Sequence, residues 1–292
     1  MYRSFLAIIF IAIFSLSIAA QGSGSNTPTP GGMSLGPARF ELEMKPGTET
    51  TVVVDLDYHA IGGETQPARI VATLNDWTIT KDGRIEYFRA NSTPNSASPW
   101  LIYSPGEAAV VPGTVHKIRV TISVPPDATP GDHLTALIIE QRPETLKNEN
   151  NLRQMIVRYR MASVFYIKVP GLTRKGDFGD LLAESTHDGV VVTPTLKNEG
   201  NSMIRPMASM EVLDADGKVV ADMPEIEQLP ILAGSESRQA VKVAQNLPPG
   251  SYTVKYRVDF QDGGKATEGV TDLIVKAAGP QIASSSKDPK KP

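Results

Sequence analysis

The chain has 292 residues, with 29 basic and 32 acidic side chains for a net charge of −3, and no cysteine. The missing cysteines exclude a disulfide scaffold, a thiolate metal site, a cysteine nucleophile and a lipid anchor on an N-terminal cysteine, and the charge argues against a nucleic-acid binder, which carries a basic stripe. Glycine and proline together make 47 residues, about 16% against a usual ~12%, which points to a chain rich in turns.

The N-terminus reads as a targeting segment. Arg3 precedes an unbroken apolar run over 5–14, and the small residues of 15–21 (SLSIAAQ) place a cleavage point after Ala20, so 1–20 is expected to be a signal peptide. Its apolar stretch is shorter than the ~20 residues of a membrane span; an uncleaved anchor is the alternative. Beyond residue 20 no run reaches 18 apolar residues, so no span is expected in the mature chain. An exported chain without cysteine fits a bacterial periplasmic location, with secretion or the cell surface as alternatives. Residues 21–33 (QGSGSNTPTPGGM) have the composition of a flexible tether. The tail 279–292, with Lys287, Lys290 and Lys291, has that of a disordered segment.

Between these ends the chain alternates apolar and polar residues in short runs bounded by Gly, Pro, Asp and Asn, the pattern of an all-β protein. Strands are expected near 39–44, 50–58, 68–80, 83–88, 99–104, 115–124, 133–142 and 154–169. A second set follows near 180–186, 189–198, 203–214, 218–223, 236–245, 251–261 and 267–277. Hairpin turns are expected at Lys81-Asp82-Gly83-Arg84, at Asp214–Lys218 and at Gln261–Gly264, because Asp-Gly accepts the positive φ of a tight turn. About seven strands in each half is the number in an immunoglobulin-like sandwich. The halves also share a grammar: Thr129-Pro130-Gly131-Asp132-His133 and Pro248-Pro249-Gly250-Ser251-Tyr252 each lead into a strand. A tyrosine so placed resembles a tyrosine corner, with His133 as its counterpart. The expected fold is therefore two tandem immunoglobulin-like β-sandwiches, over 34–170 and 179–278, joined by a linker at 171–178.

Catalytic, cofactor and metal chemistry find little footing. His59, His116, His133 and His187 are scattered, and none stands at metal-ligand spacing from another. Asp55 and Asp57 share one face of a strand but show no partner. Asp214-x-Asp216-Gly217 lacks the later ligands of a calcium loop. No nucleophile elbow, phosphate loop or zinc-protease motif is present. Trp77 and Trp100 are expected in or near the first core. The expectation is a non-enzyme that needs no cofactor and no metal.

One segment stands apart. A polar loop over 142–153 precedes a run of sixteen residues, 154–169 (QMIVRYRMASVFYIKV), long enough to span ~50 Å. Met155, Val157, Tyr159, Met161, Ser163, Phe165 and Ile167 share one face; Ile156, Arg158, Arg160, Ala162, Val164, Tyr166 and Lys168 lie on the other. The excess length is expected to project as an edge strand that another chain can pair with.

Ala38-Arg39-Phe40, the stretch SPWLIYSPGEAAVVPGTVHKIRVTISVP at 98–125, HLTALIIEQRPE at 133–144 and the closing Val164-Phe165-Tyr166-Ile167-Lys168-Val169-Pro170 resemble the N-terminal domain of PapD-like periplasmic pilus-assembly chaperones over about 34–170. The resemblance implies donor-strand complementation, in which the last strand of the first domain lends alternate apolar residues to an incomplete subunit. It also implies a basic pair in the inter-domain cleft that holds the subunit's terminal carboxylate. Arg39 matches the family's early arginine. The family's lysine falls near Ser163 here, with Arg160 and Lys168 as the flanking cations. The partner-binding residues expected on this basis are Arg39, Met155, Val157, Tyr159, Arg160 and Met161, with a pilus-like subunit or surface protein as partner. A second resemblance, carried by FELEMKPGTETTVVVDL at 40–56 and DWTITKDGRIEYF at 76–88, is to WxL-interacting surface proteins. It implies a cell-wall or surface-protein binding module with no chaperone activity.

Overall fold

A computed structural model describes residues 32–59, 66–142 and 159–276. The expected signal peptide, most of the tether, the polar loop, Met155, Val157 and the C-terminal tail lie outside these residues. The first ten strands are β1 (Gly32–Gly36), β2 (Arg39–Glu43), β3 (Glu49–His59), β4 (Ala68–Ile79), β5 (Ile85–Arg89), β6 (Leu101–Ser104), β7 (Glu107–Val110), β8 (Val115–Ser123), β9 (Gly131–Arg142) and β10 (Arg160–Val169). One sheet has the order β1-β3-β8-β6 and the other β2-β10-β9-β4-β5, with β7 also on β4. The second half supplies β11 (Gly176–Thr186), β12 (Gly189–Asn198), β13 (Met207–Leu213), β14 (Val219–Glu227), β15 (Glu236–Ser237), β16 (Val241–Lys242), β17 (Gly250–Asp259) and β18 (Thr267–Val275). They form a sheet β11-β12 with β15 and β16 on β12, and a sheet β14-β13-β17-β18. The molecule is all-β, two sandwiches in tandem.

The period-2 pattern makes each sandwich. On β8, Ile118, Val120 and Ile122 are buried on the same core face as Val54 and Leu56 of β3, with Ile118 directly opposite Val54, while Lys117 and Arg119 face outward. Leu137, Ile139, Phe165 and Ile167 close that core from the other sheet. The second core gathers around Val192, Met210, Val254, Tyr256 and Leu273. β9 is buried on both faces, because its even-numbered residues Leu134, Ala136 and Ile138 enter a third cluster. There they join Trp77, Tyr166 and, from the second half, Met203 and Leu232. The outer face of the first sandwich is thus the floor on which the second sandwich packs. Trp77 belongs to this cluster, edge-on to Tyr166, whereas Trp100 leans against the first core and tilts onto His133.

The turn chemistry holds. Gly83 and Gly217 take φ of 85° and 78°, and Thr80 N–H and Asp214 N–H close their hairpins onto Arg84 O and Lys218 O. Four expectations change. The tether ends sooner than expected: Gly32 and Met33 belong to β1, where Met33 packs on the first core. Residues 107–110, expected as loop, pair with β4. The strand expected over 236–245 is two short pieces, with 238–240 off the ladder. The strand expected at 180–186 begins at Gly176, where a side chain would strike the Phe260 ring 2.0 Å away.

Candidate partner-binding site

The described part of the last strand begins at Arg160. β9 pairs with it antiparallel from Arg160 to Val169, and β2 pairs parallel from Val164 to Lys168. Gln141 N–H donates to Tyr159 O, so the odd-numbered residues point their backbone groups at β9. Arg160 and Ala162 point theirs the other way, where no strand pairs among the described residues. From Ser163 onward the edge is closed: the buried Ser163 Oγ donates to Pro37 O and Val164 N–H to Ala38 O. The open edge therefore ends at Ala162.

The side chains divide as the alternation requires. Met161, Phe165, Ile167 and Val169 fill the first core; Ala162, Val164 and Tyr166 join the third cluster. Tyr159 lies over β1, close enough that a Cβ on Gly32 would stand 3.3 Å from its hydroxyl. Tyr159 and Met161 therefore pack within their own domain, and the exposed side chain at this end is Arg160. This reassigns the expected partner-facing role of Tyr159 and Met161: the apolar face of β10 is committed to its own sandwich, and what it offers is backbone.

Below this edge, β2 and β10 place several cations around one carboxylate. Arg39 opens β2 in register with Val164. Its Nε is 3.2 Å from Glu41 Oε1. Lys168 Nζ donates to Glu41 Oε2 at 2.7 Å, and Arg205 Nη2, from the second sandwich, donates to Oε1 at 2.6 Å. Arg205 also lies 3.8 Å from Glu227. Glu41, Lys168, Arg205 and Glu227, with Arg174, line a cleft of about 260 Å³ between the sandwiches; Arg39 pairs with Glu41 but is not part of that lining. Side-chain exposure is 15% for Lys168, 24% for Arg205 and 28% for Glu41, so the pairs are partly desolvated. Burial pushes the Glu41 carboxyl up, but the hydrogen bond from Lys168 and the charges of Lys168, Arg205 and Arg39 hold it below its ordinary value.

Arg205 is brought there by a lock around Asp132. The Asp132 carboxylate accepts from Ser202 Oγ–H and Met203 N–H. Asn201 O accepts from Asp132 N–H, and the Asn201 amide donates to Pro130 O and Gly171 O. Burial raises the Asp132 carboxyl above its ordinary value despite these donors.

Of the residues expected from the sequence, Arg39 pairs with Glu41 while its side chain stays half exposed, and Arg160 sits at the open edge. Lys168, only a flanking cation in the sequence, is a principal partner of Glu41. Ser163, at the family's lysine position, is wholly buried against Pro37 and holds no cation. Arg174 and Arg205 lie beyond the stretch that carried the resemblance, and no local motif marks them. Elsewhere, His59 bonds Asp57, Asp55 pairs with Lys117 and His133 Nε2 is 2.9 Å from Thr129 O. Among the described residues no three His, Asp or Glu side chains are grouped to hold a metal ion, and no helix is long and apolar enough to cross a membrane.

Solved structures similar to this chain include the CsuC–CsuE chaperone–tip adhesion subunit pre-assembly complex from archaic chaperone-usher Csu pili of Acinetobacter baumannii. It shows 15% identity over 85% of this chain and 100% of that chain, with a TM-score of 0.41. The YadV chaperone matches at 14% identity, 82% and 99% coverage and a TM-score of 0.41. The SafB chaperone complex with SafA pilin of Salmonella enterica matches at 11%, 83% and 97% coverage and 0.40. The chain is similar to PapD-like fimbrial chaperones. At these identities the likeness is one of fold. A family model described as a CopC domain matches residues 198–272, within the second sandwich. No curated protein matches the chain.

Proposed function

We propose that this chain is an exported binding protein without catalysis, a chaperone-like or accessory factor for a pilus-like or other surface structure. It acts by pairing the open edge of β10 with a strand of a protein partner. The observation that carries the reading is the backbone of Arg160 and Ala162. Their N–H and C=O groups point away from β9 into a gap that β2 fills only from Val164 on. Unpaired edge groups are templates for an incoming strand, and main-chain hydrogen bonds give such pairing its affinity. Arg39, opposite Val164 next to that edge and half exposed, is a candidate anchor for an acidic group of the partner. Met155 and Val157, in the chain leading into the edge, extend the proposed contact. In this reading residues 1–20 direct export to the periplasm and 21–31 tether the first domain, which β1 opens at Gly32. The linker 171–178 joins it to the second domain (179–278), and 279–292 is a tail.

A proline at 162 tests the mechanism. Ala162 N–H is outward and unused by β9, so Ala162→Pro removes an edge donor while leaving the internal ladder in place. Capture of the partner from the native host should fall at least tenfold, with an unfolding transition close to that of the unmodified chain. Undiminished capture by the folded variant would contradict strand pairing at this edge.

A second reading has its own observation. On β5, Ile85, Tyr87 and Phe88 are exposed, at 53%, 37% and 39%, on an edge strand of the same sheet. An exposed aromatic edge suits a cell-wall or surface-protein binding module. In that case replacing Tyr87 and Phe88, and not Ala162, would abolish binding.

A further inference from the structure

β5 is an open edge whose own charges restrict what can lie against it. It pairs with β4 from Ile85 to Arg89 without a register shift, and among the described residues no strand lies on its far side. Thr80 N–H donates to Arg84 O, so ladder alternation aims the backbone of Glu86 and Phe88 at β4 and that of Ile85, Tyr87 and Arg89 outward. Ala72 N–H, even-numbered and on this same side of β4, meets Gly106 O in the same phase. All five side chains of β5 are exposed, so both faces of the strand are open to solvent. Natural edges are blunted by proline and by bulges. β14, at an edge of the second sandwich, has Pro224 and two register shifts. β5 has neither.

We infer that β5 pairs with β5 of a second copy of this chain, antiparallel about a twofold axis that passes at Tyr87. The occupant follows from the strand's self-complementarity. A twofold perpendicular to the sheet keeps every side chain on its own face, so one residue of β5 must stand opposite its own copy. With the axis at Ile85 or Arg89 the strands overlap by a single residue, and Arg89 would also face Arg89. With the axis at Glu86 two carboxylates stand opposite, and like charges directly opposite are destabilising. An axis at Phe88 leaves Ile85 without a partner. Only at Tyr87 do all five residues overlap and all three outward residues find hydrogen-bonded partners, Tyr87 with its copy and Ile85 with Arg89. Arg89 O already accepts from Ser92 Oγ–H and keeps a second lone pair for this bond. In this register Glu86 faces Phe88, so no like charges meet, and an aromatic pair sits on the axis, among the favourable cross-strand pairs. Antiparallel pairing also sends the two Lys81–Gly83 turns, which touch the second sandwich, to opposite ends of the dimer. A five-residue edge is a small interface, so the dimer belongs to the weak, concentration-dependent class. The inference goes beyond the functions proposed above: it needs no pairing at β10, and it gives the exposed edge of β5 an occupant other than a cell wall.

Sedimentation equilibrium of the full mature chain, from about 10 µM to about 1 mM, covers the range of weak association. The expected result is a monomer–dimer equilibrium without larger species. Tyr87→Lys places two ammonium groups on the axis and should raise the dissociation constant at least about tenfold. Ala162→Pro, at the other open edge, should leave it within about twofold. A second measurement needs no folding argument for the lysine variant. The chain has no cysteine, so a single cysteine reports its own copy. Opposed residues lie about 5.5 Å apart between Cα atoms, within disulfide reach, whereas Ile85 and its copy are offset by about 13 Å along the strands. After air oxidation Tyr87→Cys should therefore give at least about ten times more linked dimer than Ile85→Cys. A chain that stays monomeric throughout, a dimer as tight in Tyr87→Lys, a dimer lost in Ala162→Pro, or equal linkage by the two cysteine variants would each overturn the inference.

Discussion

Single buried polar residues fix the geometry more than their number suggests. Asp76 is wholly buried beside the first core and accepts five hydrogen bonds. They come from Ser92 N–H, Thr93 N–H, Thr93 Oγ1–H, Ser96 Oγ–H and Ser98 Oγ–H. Burial pushes its carboxyl up, yet the Ser96, Ser98, Thr93 and Ser92 donors together hold it below the ordinary 3.8. Apart from one bridge of Ser96 to Leu134, the loop 90–98 has no ladder of its own, and this carboxylate ties the rest of it down. Removing it strands several donors at once, each worth about 1–3 kcal/mol when buried unpaired. Asp76→Ala should therefore lower the unfolding free energy by at least about 3 kcal/mol, measured by urea denaturation at neutral pH. A loss under about 1 kcal/mol would mean that water replaces the carboxylate.

Elements show why some of the fold was readable and some not. Alternation with glycine turns located nearly every long strand, because burial on one face of a sheet writes itself into the sequence at period two. The Pro-Gly-x-Tyr pattern was readable too: Tyr252 Oη–H donates to Pro248 O four residues upstream, and His133 Nε2 meets Thr129 O in the same relation. Two chain crossings, one in each sandwich, are tied by a side chain to the same offset. Tyr252→Phe should cost about 1 kcal/mol, seen as a lowered Tm with the β-sheet signal unchanged; an unaltered Tm would make the bond incidental.

What could not be read was non-local. β1 and β2 are adjacent in sequence but lie in opposite sheets, so the strand covering Val164–Lys168 could not be assigned from residues 32–43. β7 is only four residues long, and Glu107-Ala108-Ala109-Val110 shows no apolar-polar alternation to mark a strand between its two Pro-Gly turns. Arg205 reaches Glu41 across more than 160 residues, through a lock at Asp132 and Asn201 that involves no recognisable motif. The apolar face of the last strand, expected to meet a partner through Tyr159 and Met161, packs within its own domain. The point at which its open edge stops depends on Pro37 and Ala38, which no spacing rule connects to Ser163.

At the scale of the whole molecule the two sandwiches are joined in three places. Asp132 and Asn201 fix the base, Glu41 links β2 to Arg205, and the Lys81–Gly83 turn reaches the second half. There Lys81 O accepts from Arg238 N–H and Lys81 Nζ pairs with Glu236. The Trp77–Tyr166–Met203–Leu232 cluster lies between. The two carboxylates of this junction respond to acid with opposite signs. Glu41 is depressed, so its contribution is complete above the ordinary 4.5 and disappears as pH falls through its lowered value. Asp132 is raised, so its contribution is complete below the ordinary 3.8 and is lost as pH rises through the higher value. Glu41→Gln should accordingly be less stable than the unmodified chain at neutral pH by no more than about 1 kcal/mol, the partial exposure of the pair limiting the gain. The difference should vanish as acid titrates Glu41. Urea unfolding at a series of pH values checks this, and a difference that persists below the lowered Glu41 value would rule out the ion pair as its source.

In the proposed function the outward backbone of Arg160 and Ala162 receives a partner strand. Amide hydrogen exchange at these two residues, in the free chain and in the complex isolated from the native host, tests it most directly. The account predicts fast exchange of both amides in the free chain while Val164 and Tyr166, covered by β2, are slow, and strong protection of Arg160 and Ala162 in the complex. Protection already complete in the free chain, or no gain in a complex that has formed, would contradict it.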